Sequence, residues 1–233
     1  LMGLEGLRSK WEILISPLVS RLGNVPPSLI TWLTLPLALI ACYFLVTADR
    51  GFSGGVSLLI GFVLIIFAGV FDGLDGNVAR TYGKTSRYGD YLDHTIDRVV
   101  DIVFLLAIAH NSSWIINPVW GWAAALATLL GSYMGTQAQS VGLGRNYGGF
   151  GRADRIVVTL IGIFFAAIQS FLEILDPNWL GIDWNPMNLV IFISLIGGIY
   201  TFFSRFFVAS KDLKTLDKQE PLTQTKSTSQ LDE

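Results

Sequence analysis

The sequence predicts an all-α integral membrane protein with six transmembrane helices and an N-terminal amphipathic helix lying on the cytoplasmic interface. Three observations point there. The 233 residues are 52% hydrophobic and only 15% charged, with a mean hydropathy of +0.53, too apolar for an ordinary soluble domain. The apolar residues gather into six stretches, near 29–47, 53–71, 91–109, 119–138, 156–175 and 187–208, each close to the roughly 20 residues that cross a hydrocarbon layer about 30 Å thick. Basic residues are segregated between the connections. Of the 16 Lys and Arg, only Arg50 falls in a connection assigned outside, whereas Arg8, Lys10, Arg21, Arg80, Lys84, Arg87, Arg145, Arg152, Arg155, Lys211 and Lys214 flank the other side. That asymmetry predicts a multi-pass cell-membrane protein with both termini cytoplasmic.

The elements follow in chain order. The stretch "GLEGLRSKWEILISPLVSRLG" spaces its charges among apolar residues, the pattern of a helix lying in the interface. Pro27 and Ser28 open the first span, with Ser28 as the expected N-cap and Pro36 as a bend within it. Cys42 in the same span reads as a small packing residue. The second span ends in an acidic segment, a basic turn "RTYGKTSRYG" follows, and Gly89 opens the third. Trp114, Trp120, Trp122, Trp179 and Trp184 mark the outer connections, as indoles do at a membrane surface. Residues 1–210 therefore read as one membrane domain, and 211–233, polar and nearly free of large apolar groups, as a disordered cytoplasmic tail.

The chemistry concentrates in residues 71–101. Asp72 and Asp75 are three apart and Asp93 and Asp97 four apart, so on helices each pair shares a face, and a helical hairpin would bring all four together at the inner membrane surface. Four carboxylates converging in a partly desolvated place demand cations, and oxygen-only ligands favour Mg²⁺, Mn²⁺ or Ca²⁺. A pair of such ions suits phosphoryl chemistry. Asp90 and Asp101 extend the line by a turn each and are expected to pair locally with basic groups, while His94 points away from the ligands and His110 sits at the interface. Gly76, Ala79 and Gly89 leave room for a ligand against the backbone. A second cluster, "GLGRNYGGFGRADRIVV", carries Arg145, Arg152 and Arg155 at the start of the fifth span and suits a phosphate.

The run Asp72-x2-Asp75-Gly76-x2-Ala79-Arg80-x8-Gly89-x3-Asp93-x3-Asp97 resembles the full signature of the CDP-alcohol phosphotransferase family. The resemblance implies a homodimeric membrane enzyme that moves a substituted phosphate from a CDP-alcohol to an acceptor hydroxyl and releases CMP. It implies that Asp72, Asp75 and Asp93 hold two divalent cations, Mg²⁺ or Mn²⁺, and that Asp97 is a further metal contact and the general base. It also implies that Gly76, Ala79, Arg80 and Gly89 meet the CDP moiety. "PPSLIT" resembles the family's Pro-Asn-x-x-Thr segment with Ser28 in place of Asn, and "GRADR" resembles the motif of members that take inositol phosphate, with Arg152 and Arg155 in matching places; these two, with Arg145 of the same cluster, are assigned to the acceptor phosphate. The preceding "SYMGTQAQSVG" lacks the basic residue those members carry and is similar to archaeal members, so inositol phosphate and glycerol phosphate stand as equal acceptors. The expected lipid substrate is CDP-diacylglycerol or CDP-archaeol, with the active site cytoplasmic and no nucleic-acid partner. Rival readings are a cation-coupled transporter, a two-metal membrane phosphatase, and a family member with an uncharged acceptor such as serine.

Overall fold

A computed structural model describes residues 15–144, 148–179 and 182–219. Arg145, the amphipathic stretch before residue 15 and the chain after residue 219 lie outside them. Six long helices account for most of the described chain: α1 (Pro27–Thr47), α2 (Phe52–Thr81), α3 (Arg87–Ala109), α4 (Val119–Ser140), α5 (Arg152–Phe171) and α6 (Pro186–Gln219). A two-stranded antiparallel ribbon, β1 (Asn178–Trp179) with β2 (Ile182–Asp183), pairs Asn178 with Asp183 in the connection before α6. Sequence reading did not foresee this ribbon.

Four helices, α1, α2, α5 and α6, are long and apolar enough to cross a membrane. The other two expected spans have the length with a less apolar composition. α3 carries Asp90, Asp93, Asp97, Arg98 and Asp101, and α4 is diluted by Gly, Ser, Thr and Gln. Large apolar side chains such as Tyr43, Phe67, Phe165, Ile196 and Phe207 face outward around the bundle, the distribution expected where the surrounding medium is itself apolar.

The helices pack as a closed ring in the order α1, α2, α5, α6, α4, α3 and back to α1. α2 and α3 are therefore not neighbours in the ring but flank α1 on either side. This corrects the expected helical hairpin. The turn at 82–86 links α2 to α3, but their acidic faces look at each other over a gap instead of packing along their lengths. Small residues permit the close approaches. A Cβ on Gly198 of α6 would lie 2.8 Å from the backbone carbon of Ala127 on α4, and one on Gly121 of α4 would lie 2.1 Å from the Cβ of Ala109. One apolar core runs through the ring, with Leu45, Leu58, Ile65, Ile108, Ile163 and Ile191 fully enclosed and Cys42 packed at its edge as expected.

The end that carries the acidic residues of α2 has a second, smaller core. Residues 15–21 are helical, and Ile15 and Val19 pack on Ile30, Leu74 and Val78. The spacing of four places both side chains on one face, with Ser16, Ser20 and Arg21 exposed.

Three local expectations change. α1 begins at Pro27 with Pro26 in the N-cap position and no side-chain cap, so Ser28 lies inside the helix. A proline at the first helical residue sacrifices a donor that has no helical partner in any case. Trp114 is buried in the core, 2% exposed, instead of lying at the rim. The expected tail is helical as far as Gln219, because "KDLKTLDKQ" extends a helix already nucleated by packing and needs little propensity of its own.

Candidate active site

α2 is 30 residues long, about 45 Å at 1.5 Å per residue. Its apolar part from Phe52 to Phe71 covers about 30 Å of that length, so the helix itself carries Asp72 and Asp75 to the edge of the hydrocarbon. Facing it, α3 starts with Ser86 as N-cap, whose Oγ accepts from the Gly89 amide at 3.0 Å. That cap fixes the first turn from which Asp93 and Asp97 follow on one face.

Between these ends lies a cleft of about 320 Å³. Asp75 and Asp93 form its inner wall, and Gly76, Ala79, Arg80 and Gly89 line it, so every residue assigned from the family pattern to the CDP moiety opens on one cavity. Ser28, Thr31, Lys84 and Ser86 join them. A Cβ on Gly76 would come within 3.1 Å of the Arg80 guanidinium, the movable end of a long side chain. Thr31 Oγ1 donates to Asp75 Oδ2 at 2.5 Å, and the Gly76 amide donates to Asp75 Oδ1 at 2.5 Å. Asp75 is thereby oriented from both sides. Lys84 reaches the carbonyl of Gly23 at 2.6 Å, tying the cleft's mouth to the N-terminal segment.

Behind this wall sits the second half of the site. Arg152, the first residue of α5, places Nη1 2.5 Å from Asp72 Oδ2 and 2.6 Å from Asp97 Oδ1. Its Nε lies 3.7 Å from Asp101 Oδ1. Arg155 pairs with Asp101 Oδ2 and donates to the Phe150 carbonyl at 3.1 Å. Asp101 thus pairs with Arg, as expected of it, but with residues of α5 distant in sequence. The loop that presents Arg152 is held from α6. Thr201 Oγ1 accepts from the Phe150 amide at 2.8 Å, and Arg205 donates to the carbonyls of Gly148 and Gly131 at 3.0 and 2.9 Å.

The electrostatics are lopsided. Asp72, Asp97 and Asp101 pair with Arg152 and Arg155, while Asp75 and Asp93 share the cleft with Arg80 and Lys84, so carboxylates still outnumber cations here. Asp97 Oδ1 is buried without an aligned hydrogen-bond donor among the described residues, although Arg152 Nη1 is 2.6 Å away. The contact is Coulombic, with an angle too poor for a hydrogen bond. An orphaned carboxylate oxygen in an all-oxygen acidic cluster fits a hard divalent cation. Asp93, His94 and Asp97 offer ligand atoms within 4.8 Å of one another, and no other such group of three occurs among the described residues.

All four signature carboxylates therefore meet at this end, though not as a single tight shell. Asp72 and Asp97 share one Arg nitrogen, Asp75 and Asp93 share the cleft, and Asp93 and Asp97 are neighbours on α3. His94 departs from expectation. Its Nε2 is 3.7 Å from Asp90, yet the ring also stays within reach of Asp93 and Asp97. His110 lies at the opposite end, bonded to Leu106 O at 2.9 Å with its ring edge-on to Trp122. Sequence reading missed Thr31, Lys84, Thr201 and Arg205. Thr31 closes the "PPSLIT" segment already singled out, and Arg205 stands as a lone charge within "FFSRFF", so both carried a signal.

A model of the CDP-alcohol phosphatidyltransferase family matches residues 24–200, more than half of the chain. The phosphatidylinositol phosphate synthase of Cutibacterium acnes is 33% identical over 183 residues, covering 76% of this chain and 84% of that one. The archaetidylinositol phosphate synthase of Methanothermobacter thermautotrophicus is 33% identical over 131 residues, covering 56% and 64%. The crystal structure of Mycobacterium tuberculosis phosphatidylinositol phosphate synthase with CDP-DAG bound shares the fold at a TM-score of 0.63 and 22% identity, over 83% of this chain and 92% of that one. The structure of the same enzyme with manganese and citrate matches at 0.61 and 23%, over 83% and 88%.

Proposed function

The chain belongs to the CDP-alcohol phosphatidyltransferase family, and from that premise we propose that it transfers the phosphatidyl-type group of a CDP-lipid to the hydroxyl of a polyol phosphate, with inositol phosphate as the acceptor. Family membership makes it an enzyme, which sets the transporter reading aside. The observation that carries the proposal is the cleft whose inner wall is Asp75 and Asp93, with Asp97 directly behind on the same face of α3.

The nucleotide lies against Gly76, Ala79 and Gly89, and the cationic side chains of Arg80 and Lys84 at the mouth balance its phosphate charge. Asp72, Asp75, Asp93 and Asp97 are the residues that would hold two divalent cations, Mg²⁺ or Mn²⁺. Such ions supply positive charge to the diphosphate and to the departing CMP. Thr31 holds Asp75 in place for that task. Asp97 accepts the proton of the acceptor hydroxyl. The hydroxyl oxygen forms a bond to the phosphorus that carries the lipid, the bridging P–O bond to CMP breaks, and CMP leaves with the bridging oxygen. Positioning and electrostatic stabilisation carry most of the acceleration.

Arg152 and Arg155 stand at the far side of Asp97 from the nucleotide cleft, where the phosphate of an acceptor aligned for attack would lie. Arg145 belongs to the same stretch of sequence and is assigned to the same phosphate. Two relatives named for inositol phosphate products support this acceptor over glycerol phosphate. We further read all six helices as spans, the acidic end as cytoplasmic and the enzyme as a homodimer. The test is CMP release from CDP-diacylglycerol and CDP-archaeol by purified protein with Mg²⁺ or Mn²⁺ and, in turn, inositol phosphate, glycerol phosphate, serine and free inositol. Turnover with inositol phosphate is expected. Turnover with serine or free inositol alone would overturn the phosphate-acceptor assignment.

A further inference from the structure

We infer that Arg152 is an exchangeable counterion: it serves the acidic cluster until a divalent cation takes the same carboxylate oxygens, and is then released to the phosphate of the acceptor. The inference rests on the function proposed above for the nature of the acceptor, and it makes the acceptor site conditional on metal.

Three features of the contact lead there. Nη1 of Arg152 lies 2.5 Å from Asp72 Oδ2 and 2.6 Å from Asp97 Oδ1, carboxylates on the two helices that flank α1. An ion held by those two oxygens at about 2.0–2.2 Å would need the volume that this nitrogen fills. Two cations cannot share it, and their mutual repulsion would drive the unligated one away.

The hold on Arg152 by Asp72, Asp97 and Asp101 is Coulombic more than directional. A guanidinium is a planar fork that pairs best with two parallel hydrogen bonds to one carboxylate. Here a single nitrogen is offered to two carboxylates, Asp97 Oδ1 is not in hydrogen-bond alignment, and Arg152 Nε is buried with no hydrogen-bond partner among the described residues. Arg155, one turn on, also has a buried Nε without a hydrogen-bond partner among the described residues, but its terminal nitrogens are seated on Asp101 and on the Phe150 carbonyl, one acceptor each.

Finally, Arg152 can move without disturbing the fold. It is the first residue of α5, behind a cap in which Asp154 Oδ2 accepts from the Gly151 amide at 2.8 Å. Thr201 and Arg205 hold the preceding loop independently of it. Rotation of one long side chain moves the charge from the carboxylates to the N-terminal turn of α5, where unpaired amides already favour an anion. Binding of metal and of acceptor phosphate are then coupled, and the coupling is reciprocal.

The experiment uses the full chain in detergent without CDP-lipid, so that binding is read apart from turnover. Mn²⁺ affinity is measured from free-ion EPR, and inositol phosphate affinity by calorimetry with Mn²⁺ or with chelator. In Arg152→Ala, Mn²⁺ should bind about tenfold tighter, since a competing charge a few Å away is gone. The same variant should weaken inositol phosphate binding about tenfold with Mn²⁺ present and leave it unchanged with chelator. Equal weakening in both conditions would mean that Arg152 always serves the phosphate, and no weakening in either would mean that it never leaves the carboxylates. Either result overturns the exchange. Arg152→Lys, which keeps the charge and a long stem, should retain part of the Mn²⁺-dependent gain and serves as the deciding variant if the alanine protein does not fold. If glycerol phosphate shows the Mn²⁺-dependent gain and inositol phosphate does not, the acceptor identity fails while the exchange stands.

Discussion

The two ends of the bundle use the same chemistry to opposite effect. At the end away from the acidic cluster Arg50 pairs with Asp176, donates to the Ser113 carbonyl at 2.9 Å and lies 3.5 Å from the ring centre of Trp114. Asp176 also accepts from Gln169 at 2.5 Å and from Asn185 at 3.0 Å, and Asn185 and Asn111 bind the carbonyls of Trp114, Leu45 and Ala48. One carboxylate thus meets one guanidinium, and neutral amides use up its remaining lone pairs, while the buried Trp114 Nε1 has no hydrogen-bond partner among the described residues. At the acidic end Asp72, Asp97 and Asp101 crowd around Arg152 and Arg155, Asp75 and Asp93 share a cleft with Arg80 and Lys84, and buried atoms of Asp97, Arg152 and Arg155 go without a hydrogen-bond partner among the described residues. A matched knot ties α1, α3, α5 and α6 together, whereas an overloaded cluster is a place for ligands. Stability resides in the first and chemistry in the second.

Substitutions and conditions that act on one end and spare the other test this division. The largest effect expected is from chelation. Excess EDTA should abolish CMP release and leave the thermal midpoint of the apo protein in place, with activity restored by Mg²⁺ or Mn²⁺. Full activity in EDTA would remove divalent cations from the proposal. Next is Asp97→Asn, which should lose about 10²–10⁴-fold in turnover while still binding CDP-lipid. Near-wild-type turnover in that variant would refute its role as base.

At the other end, Asp176→Ala strands Arg50, Gln169 and Asn185 and should cost about 1–3 kcal/mol of stability, discounted because Arg50 is about a third exposed. Turnover per folded molecule should stay near wild type. An activity loss larger than the stability loss explains would join the two ends functionally. The smallest effect is expected from Thr31→Val, which removes the donor on Asp75 Oδ2 and should raise KM for CDP-lipid about fivefold, near 1 kcal/mol. Steady-state kinetics at fixed Mg²⁺ check it, and an unchanged KM would show that the Gly76 amide alone suffices to orient Asp75.

Much of the acidic end was legible because it is local. Asp72 and Asp75 share a helical face whatever else the chain does, and so do Asp93 and Asp97, so their spacing alone proposed a cation site. The six apolar stretches likewise announced six helices. The knot at the opposite end was not legible. Arg50, Asp176, Gln169 and Asn185 each read as an isolated polar residue in a connection, and Trp114 as an ordinary interfacial indole. Arg152 and Arg155 were recognised as phosphate-type residues, but their pairing with Asp72, Asp97 and Asp101 had no local signature, and neither did the exchange of the expected hairpin for a ring.

What the sequence determined by itself is the set of segments that prefer lipid, their helical form, and the faces on which carboxylates line up. Hydrophobic transfer and the 3.6-residue period act within a few turns of chain and need no partner to be read. Only the tertiary structure decided which cation meets which carboxylate. Asp72 and Arg152 are 80 residues apart, and their encounter depends on α5 closing the ring beside α2, an outcome set by how small residues let six helices pack.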